Sequence, residues 1–256
     1  MISHTKAFLA FRKLSQAHLN FAVLVCHAVP ALQADLSLPS ATLTNPPDHF
    51  KAHTNTKKDV ARYVGGYQDE LARLTVNAVF SYLEAYIKDA LKDIVEFHGG
   101  KAKIKGMSMK RNTRFISALS PDVQANKRKL QDNPTPAKME KYQKYGKLLD
   151  QKGYRFPTDL FANFGLYELL PKLKDDRTGM KAWEIPDVLQ EGLLFPITAT
   201  ERKVFEEIRL LRNKISHGKP PSVTLKKSLH YASLLHALAA RVDNHIAEHF
   251  LIIEAI

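Results

Sequence analysis

The feature that most constrains the fold is an apolar stripe that recurs at helical spacing through residues 67–97. The apolar positions in this range are Leu71, Leu74, Ala78, Val79, Tyr82, Leu83, Tyr86, Ala90, Leu91 and Ile94. Such spacing places one apolar face along an α-helix, and Gly99 with Gly100 predicts where that helix ends. Strand-like alternation does not persist over more than a few residues anywhere in the chain, so the sequence predicts an all-α fold.

Three further helices are predicted, over residues 1–34, about 200–216 and 224–252. Pro30 marks the end of the first helix or a kink in it, and residues 35–58 read as a loop. The short connection "HGKPPS" between the last two helices is typical of an αα-hairpin. Together with the helix over 67–97, these elements predict an up-and-down four-helix bundle in a single domain spanning 1–256.

Positive charge is concentrated between the second and third core helices. Residues 99–155 hold 11 Lys and 4 Arg against four acidic residues, which accounts for +11 of the net charge of +12. We interpret this segment as a surface insertion with a polyanionic partner, and RNA is the partner we expect. The alternative is a solvated, lysine-rich surface. The candidate RNA-binding residues are Lys110, Arg111, Lys127, Arg128 and Lys129.

The number of cysteines and the composition of the N-terminus indicate in which cellular compartment the protein is expected. The single cysteine, Cys26, excludes an intramolecular disulfide and a Cys-rich zinc finger, and we expect a cytoplasmic protein. Basic residues precede the apolar run 21–29, which is also the outline of a targeting segment. A native first helix is the favoured alternative, and because the run is too short to span a bilayer, no membrane partner is expected.

The sequence argues against two other kinds of site, a zinc site and a nucleotide-hydrolysis site. His245 and His249 have the spacing of a helical zinc pair, with Glu248 beside them, but no third ligand is evident. We therefore expect exposed polar positions there, and neither a metal nor a cofactor. The chain has no Gly-rich phosphate loop, which argues against ATP or GTP hydrolysis.

A compact polar cluster closes the helix predicted over 200–216, in the stretch "LLRNKISHGKPP" at residues 210–221. On a helical wheel with Leu211 as origin, the predicted buried stripe comprises Val204, Ile208 and Ile215. The hydrogen-bonding side chains fall on the opposite, exposed face: Arg209, Arg212, Asn213, Ser216 and His217. On this wheel Arg212 and His217 are too far apart around the helix to form a tight pair.

The chemistry of this cluster suits a phosphodiester. Gly218 occupies the expected C-cap, so His217 lies in the last turn, where the helix dipole favours its protonated form. Imidazole can accept and return a proton, and the guanidinium of Arg212 can neutralise charge at a phosphate. Ordinary capping at a helix end is the alternative reading of the same residues.

The segment "RNKISH" resembles the R-x4-6-H motif of the HEPN superfamily of all-α ribonuclease domains. Upstream, "RLTVNAVFSYLEAYIKDAL" resembles the earlier helix of its RiboL-PSP-like branch. The resemblance implies a four-helix domain, a metal-independent endoribonuclease activity and a homodimer that unites two motifs. By position, Arg212 and His217 are catalytic and Asn213 orients them. Glu84, Arg209 and Ser216 are supporting candidates, and an ion pair at a surface or interface is the alternative for Glu84.

Two functions follow from the resemblance. The first is a toxin or phage-defence endoribonuclease that cuts RNA by 2′-hydroxyl attack, with an antitoxin or defence-system partner. Lys219 stands where HEPN toxins controlled by a nucleotidyltransferase antitoxin commonly carry tyrosine, which argues against that mode of control. The second function is a non-catalytic HEPN module that binds RNA or a partner protein.

Overall fold

A computed structural model of the chain describes residues 3–38, 57–104, 106, 179–193, 195–218 and 221–251. Throughout this described part, every regular element is a helix, which confirms the all-α prediction. The longer helices are α1 (Lys6–Leu36), α2 (Lys57–Gly65), α3 (Tyr67–Phe97), α4 (Ala199–Ser216) and α5 (Leu225–His249). Short 3₁₀, α and π turns occupy Ala182–Glu184, Ile185–Asp187 and Val188–Gly192. The up-and-down arrangement of a four-helix bundle stays a prediction.

The helix predictions hold best where apolar spacing and end signals coincide. The bounds of α3 match the predicted 67–97, and Gly99 and Gly100 follow it with φ of 79° and 100°. By contrast, α1 continues through Pro30 to Leu36, so Pro30 does not end the helix. The loop predicted over 35–58 overlaps the start of α2 at Lys57, and the helical turns at 182–192 were not predicted.

The chain forms two compact units. Unit 1 comprises residues 1–11, 83–207 and 236–256, and unit 2 comprises residues 12–82 and 208–235. The single domain over 1–256 stays a prediction. Most of the predicted basic insertion at 99–155, including all five candidate RNA-binding residues, lies outside the described residues.

In unit 1, side chains from two other helices cap the N-terminus of α1. Asp243 of α5 is fully buried and accepts hydrogen bonds from the Thr5 backbone N–H (3.2 Å), from the Thr5 hydroxyl (2.6 Å) and from Nδ1 of His4 (2.8 Å). Asp93 of α3 accepts from the Ala7 N–H at 2.8 Å. The first turn of a helix leaves its N–H groups unpaired, and these carboxylates satisfy two of them while complementing the helix dipole.

Aromatic residues fill the space beneath this cap. The Tyr86 ring lies 5.8 Å from that of Phe8 and 5.6 Å from that of Phe11, measured between centroids. The Tyr86 hydroxyl donates to the Ala239 carbonyl at 3.3 Å. Burial raises the pKa of Tyr86, and the nearby Asp243 and Asp93 raise it further, so the phenol keeps its proton and remains a donor.

In unit 2, α1 packs one face against α3. Ser15 and Ala22 are buried, and Nε2 of His18 donates to the Thr75 hydroxyl at 3.1 Å. The Thr75 hydroxyl in turn donates to the Leu71 carbonyl at 2.8 Å. Burial lowers the pKa of His18, which favours the neutral imidazole in this contact. Further buried residues of α2, α3, α4 and α5 belong to this unit: Val64, Val76, Val79, Phe80, Ile208, Tyr231 and Leu235.

A capping box begins α4. The Glu201 N–H donates to the Thr198 hydroxyl at 3.1 Å, and the Thr198 N–H donates back to the Glu201 carboxylate at 2.8 Å. Arg241 of α5 pairs with the same carboxylate. Burial by itself raises the pKa of Glu201, but the Thr198 N–H and the Arg241 guanidinium outweigh it and hold the pKa below its ordinary value of 4.5.

Glu201→Gln should lower stability by about 1 kcal/mol at pH 7, because it weakens the capping box and removes the ion pair with Arg241. A carboxylate whose pKa falls on folding stabilises the fold above its unfolded pKa and loses that contribution as pH drops. The difference in melting temperature between wild type and variant should therefore shrink below about pH 4.5. Circular dichroism melts from pH 7 to pH 3 measure it.

Glu96→Gln is the matched control, since Glu96 is exposed and its carboxylate has no hydrogen bond or ion pair within the described residues. That variant should melt with the wild type at every pH. A gap for Glu201→Gln that stays constant down to pH 3 would contradict the assigned role of the ionised carboxylate.

Candidate functional site

The helix that carries the Arg and His motif buries only part of the stripe that was predicted. Phe205 and Ile208 are fully buried, whereas Val204, Leu211 and Ile215 are only half-buried. Phe205 lies two turns before Arg212 on the same side of the helix. The buried face is thus rotated toward Arg212, which the wheel had placed on the exposed face together with the other polar residues.

Arg212 is half-buried, and within unit 2 its guanidinium contacts Phe80 and Asn213. The carbon at its centre lies 5.8 Å from the centroid of the Phe80 ring, and Phe80 is 0% exposed. One terminal nitrogen donates to Oδ1 of Asn213 at 3.2 Å. A guanidinium over an aromatic face is attracted by the ring and loses side-chain freedom. Phe80 and Asn213 therefore restrict where Arg212 can point.

His217 follows the last helical residue and is exposed. Its backbone N–H donates to the Asn213 carbonyl at 3.0 Å, and the Gly218 N–H donates to the Ile215 carbonyl at 3.2 Å. Gly218 has φ of 68°, the left-handed conformation in which glycine commonly ends a helix. Considering only described residues, the imidazole has no hydrogen bond or ion pair, so it faces solvent at a helix C-terminus.

The chain matches the model of a known protein family. The family model described as RiboL-PSP-HEPN matches residues 48–248, well over half of the chain. The chain belongs to the RiboL-PSP-HEPN family. No curated protein and no solved structure matches it. The match covers α2 to α5 up to residue 248, whereas α1 lies before it.

In this HEPN chain, the orienting and supporting candidates differ in burial and in the helix that carries them. Asn213 contacts Arg212 as described, Arg209 is half-buried, and Ser216 is exposed in the last turn of α4. Glu84 is half-buried on α3 and belongs to unit 1, whereas the motif belongs to unit 2. Within unit 2, the Arg212 guanidinium lies near Asn213 and Phe80, and His217 follows the end of α4.

The histidine pair on α5 has a structural explanation. His245 is half-buried, and its Nε2 donates to the Leu193 carbonyl at 2.7 Å. The His249 ring lies 4.5 Å from that of His245 and is also half-buried, so the expectation that both residues are exposed was wrong. Over the described residues, no group of three or more His, Cys, Asp or Glu could hold a metal ion.

Phe80 is the contact that sequence reasoning missed. Phe80 was not among the positions of the predicted apolar stripe of α3, and nothing in the spacing singled it out. The feature that distinguishes it is an arginine on a helix more than a hundred positions later. Such a pair becomes visible only once both helices are placed.

Phe80→Leu should release the Arg212 guanidinium. Protons held over an aromatic ring are shielded, so the Arg212 side-chain N–H resonance should move toward that of an exposed arginine and exchange faster with water. Side-chain ¹H–¹⁵N spectra measure this, with the resonance assigned by its loss in Arg212→Lys.

Unit 1 offers a matched control. Phe195 is also buried, and the Arg241 guanidinium lies 5.1 Å from its ring centroid. Phe195→Leu makes the same deletion beneath a different arginine, so it should shift the Arg241 resonance and leave that of Arg212 in place. An unmoved Arg212 resonance in Phe80→Leu would exclude the restraint by Phe80.

Proposed function

We propose that this HEPN chain is a metal-independent endoribonuclease of the toxin or phage-defence type, acting in the cytoplasm. The observation that carries the proposal is the placement of the two motif residues, Arg212 and His217, in a HEPN chain. Arg212 is restrained over Phe80, and one turn later an exposed His217 stands at the C-terminus of α4. One residue is suited to hold a phosphate, and the other to move a proton.

The chemistry requires a base, a cation and a proton donor. His217 removes the proton from a ribose 2′-hydroxyl, and the resulting oxygen attacks the adjacent phosphorus. The bond from phosphorus to the 5′-oxygen breaks, and a protonated imidazole returns a proton to that oxygen. The products are a 2′,3′-cyclic phosphate and a 5′-hydroxyl. Arg212 neutralises the charge that builds up on the non-bridging oxygens, with Asn213 fixing one edge of its guanidinium.

The site is proposed to form between two subunits. Five residues at 100° each place Arg212 and His217 about 140° apart around α4, so one helix does not direct both at one phosphate. A two-fold axis would bring a second motif to the first and supply both an acid and a base. Residues 99–155 would then hold the RNA backbone through their positive charge.

A second function is favoured by the same contacts of Arg212. Its guanidinium interacts with Phe80 and Asn213 inside its own subunit, as it would if the motif were kept for packing. In that case the chain is a non-catalytic HEPN module that binds RNA or a partner protein. Cleavage assays separate the two functions.

Purified protein should cut labelled RNA in excess EDTA and leave 2′,3′-cyclic phosphate ends. His217→Ala should slow cleavage about 10²–10⁴-fold, the usual contribution of a general base or acid. Arg212→Lys should slow it about 10²-fold, because the ammonium loses the fork geometry and the stack on Phe80. Single-turnover rates and mass spectrometry of the product ends are the measurements.

His230 is the control histidine, since it is exposed on α5 and no described residue hydrogen-bonds or ion-pairs with it. His230→Ala should cleave like the wild type. If RNA binds but remains intact under every condition, the chain is the non-catalytic module. If EDTA abolishes cleavage, the reaction is not metal-independent.

Neutralising Lys127, Arg128 and Lys129 to glutamine should weaken RNA binding and reduce its dependence on salt. Each lost phosphate contact removes about 0.7 from the slope of log affinity against log salt for a single strand, so the slope should fall by about 2. The cyclic phosphate end should be unchanged. Fluorescence anisotropy at several salt concentrations gives the slopes.

The control removes the same charge elsewhere, by changing Lys88, Lys203 and Lys226, which are exposed and lie outside 99–155, to glutamine. Its slope should change by less than half as much. Equal slopes for the two triple variants would show that the basic segment has no special part in holding RNA.

A further inference from the structure

The outward side of α1 carries a second apolar stripe that nothing in the described chain covers. Its positions are spaced by three and four residues in strict alternation, and all are exposed: Leu14, Ala17, Phe21, Leu24, Ala28 and Ala31. We name these six residues the outer seam. The three large side chains are 48%, 53% and 62% exposed in chain order. The outer seam lies in unit 2 and is distinct from the face of α1 that holds Ser15, His18 and Ala22 against α3.

This spacing is typical of a helix surface that packs against a second helix. Apolar residues at a and d of a heptad form the narrow stripe along which two helices pack side chain into hole. From Leu14 to Ala31 the outer seam covers about 27 Å at 1.5 Å per residue. No Asp, Glu, Lys or Arg occurs between Lys13 and Asp35, so no charge interrupts it.

The outer seam is complementary to itself when two copies run antiparallel. In the register that pairs each a position with a d position, Leu14 meets Ala31, Ala17 meets Ala28, and Phe21 meets Leu24. Each pairing occurs twice because of the two-fold symmetry. Large residues thus face small ones at the ends, and the two largest pack together at the centre.

Charge selects the same direction. Arg12 and Lys13 stand at one end of the outer seam and Asp35 at the other. Antiparallel packing brings the basic end of one copy next to the acidic end of the second, where the helix C-terminus adds negative potential. Parallel packing would instead place like charges together at both ends.

A lipid bilayer fits the same helix less well. The apolar run 21–29 alone is too short to span a bilayer, but α1 as a whole is by length and composition long and apolar enough to cross one, and only 6% of its most apolar window is buried. Crossing would break the hydrogen bond from His18 to Thr75 and would place Gln16, Asn20 and His27 in hydrocarbon. A helix lying on a lipid surface usually has a basic polar face, whereas residues 14–34 carry no Lys or Arg.

We propose that a second copy of this chain docks antiparallel on the outer seam of α1. Because α1 precedes the residues matched by the family model, this surface is additional to the matched HEPN region. The proposal goes beyond the proposed function, since self-association through α1 holds whether or not the chain cuts RNA.

Sedimentation velocity over a range of protein concentrations tests the self-association. Wild type should sediment with twice the monomer mass of 28.9 kDa. Leu24→Lys places a charge at the centre of the outer seam and should raise the dimer dissociation constant by more than about tenfold. The control is Val23→Lys, because Val23 is 57% exposed on the same helix but lies off the outer seam, and it should leave the constant unchanged.

Cysteine cross-linking tests the direction, in a Cys26→Ser background. An equimolar mixture of Ala17→Cys and Ala28→Cys should form a disulfide between subunits on oxidation. Ala17→Cys alone should not, because the two copies of residue 17 are about 16 Å apart in the antiparallel register. A cross-link in Ala17→Cys alone would exclude the antiparallel arrangement.

The remaining outcomes are also decisive. A monomer at all concentrations, or a dimer unaffected by Leu24→Lys, would overturn the proposal. So would a wild-type monomer that floats with vesicles of mixed neutral and anionic phospholipid and loses that binding in Leu24→Lys, which would assign the outer seam to a membrane surface. A dimer that does not cut RNA would contradict the proposed function alone, since mass and cleavage are measured separately.

Discussion

The first turn of α1 depends on a carboxylate that is wholly buried. Asp243 would be costly to place in the interior without partners, and donors from His4 and Thr5 offset that cost. Asp93 adds a second carboxylate at the Ala7 N–H. Side chains of α3 and α5 thereby fix where α1 begins. Because α1 is continuous to Leu36, all of its later residues, including the outer seam, extend from an anchored end.

The two motif residues are held by different kinds of interaction. Arg212 is positioned by a contact with another helix, since its guanidinium lies over a fully buried ring of α3. Among the described residues, His217 is positioned by the local hydrogen bonds that end α4 and by the left-handed backbone of Gly218. Backbone at a helix end opens more readily than a packed core does. The proposed phosphate-binding group is therefore the more restrained member of the pair, and the proposed proton-transfer group is the more adjustable one.

Some helices were predicted from the sequence more accurately than others. Helix α3 was predictable because its apolar period and its terminal glycines agree. In contrast, α2 was not predicted, because its first two residues fell in the predicted loop over 35–58 and residues 59–65 were left unassigned. The wheel for α4 took Val204 as buried and overlooked Phe205, and that error turned Arg212 toward solvent. Hydrophobic period locates a helix, but the exact buried side also depends on which residues the neighbouring helices present.

The contact between Arg212 and Phe80 shows what local patterns leave out. The motif itself was visible, since an arginine, an asparagine and a histidine within six positions at a helix end suggest phosphate chemistry. The ring beneath the arginine was not, because it comes from a helix in the first half of the chain. The sequence could propose the groups that react, whereas the group that orients one of them required the tertiary structure.

The geometry of a single α4 helix bears on the proposal that two subunits form the site. Bringing Arg212 and His217 to one phosphate within one chain would require the last turn to unwind. That would break the hydrogen bonds from the His217 and Gly218 N–H groups to Asn213 and Ile215. A second motif brought to the first by symmetry would leave both helix ends intact. Assembly is thus the less costly way to complete such a site, and a chain with a self-complementary outer seam on α1 has a means of assembling that does not involve the motif itself.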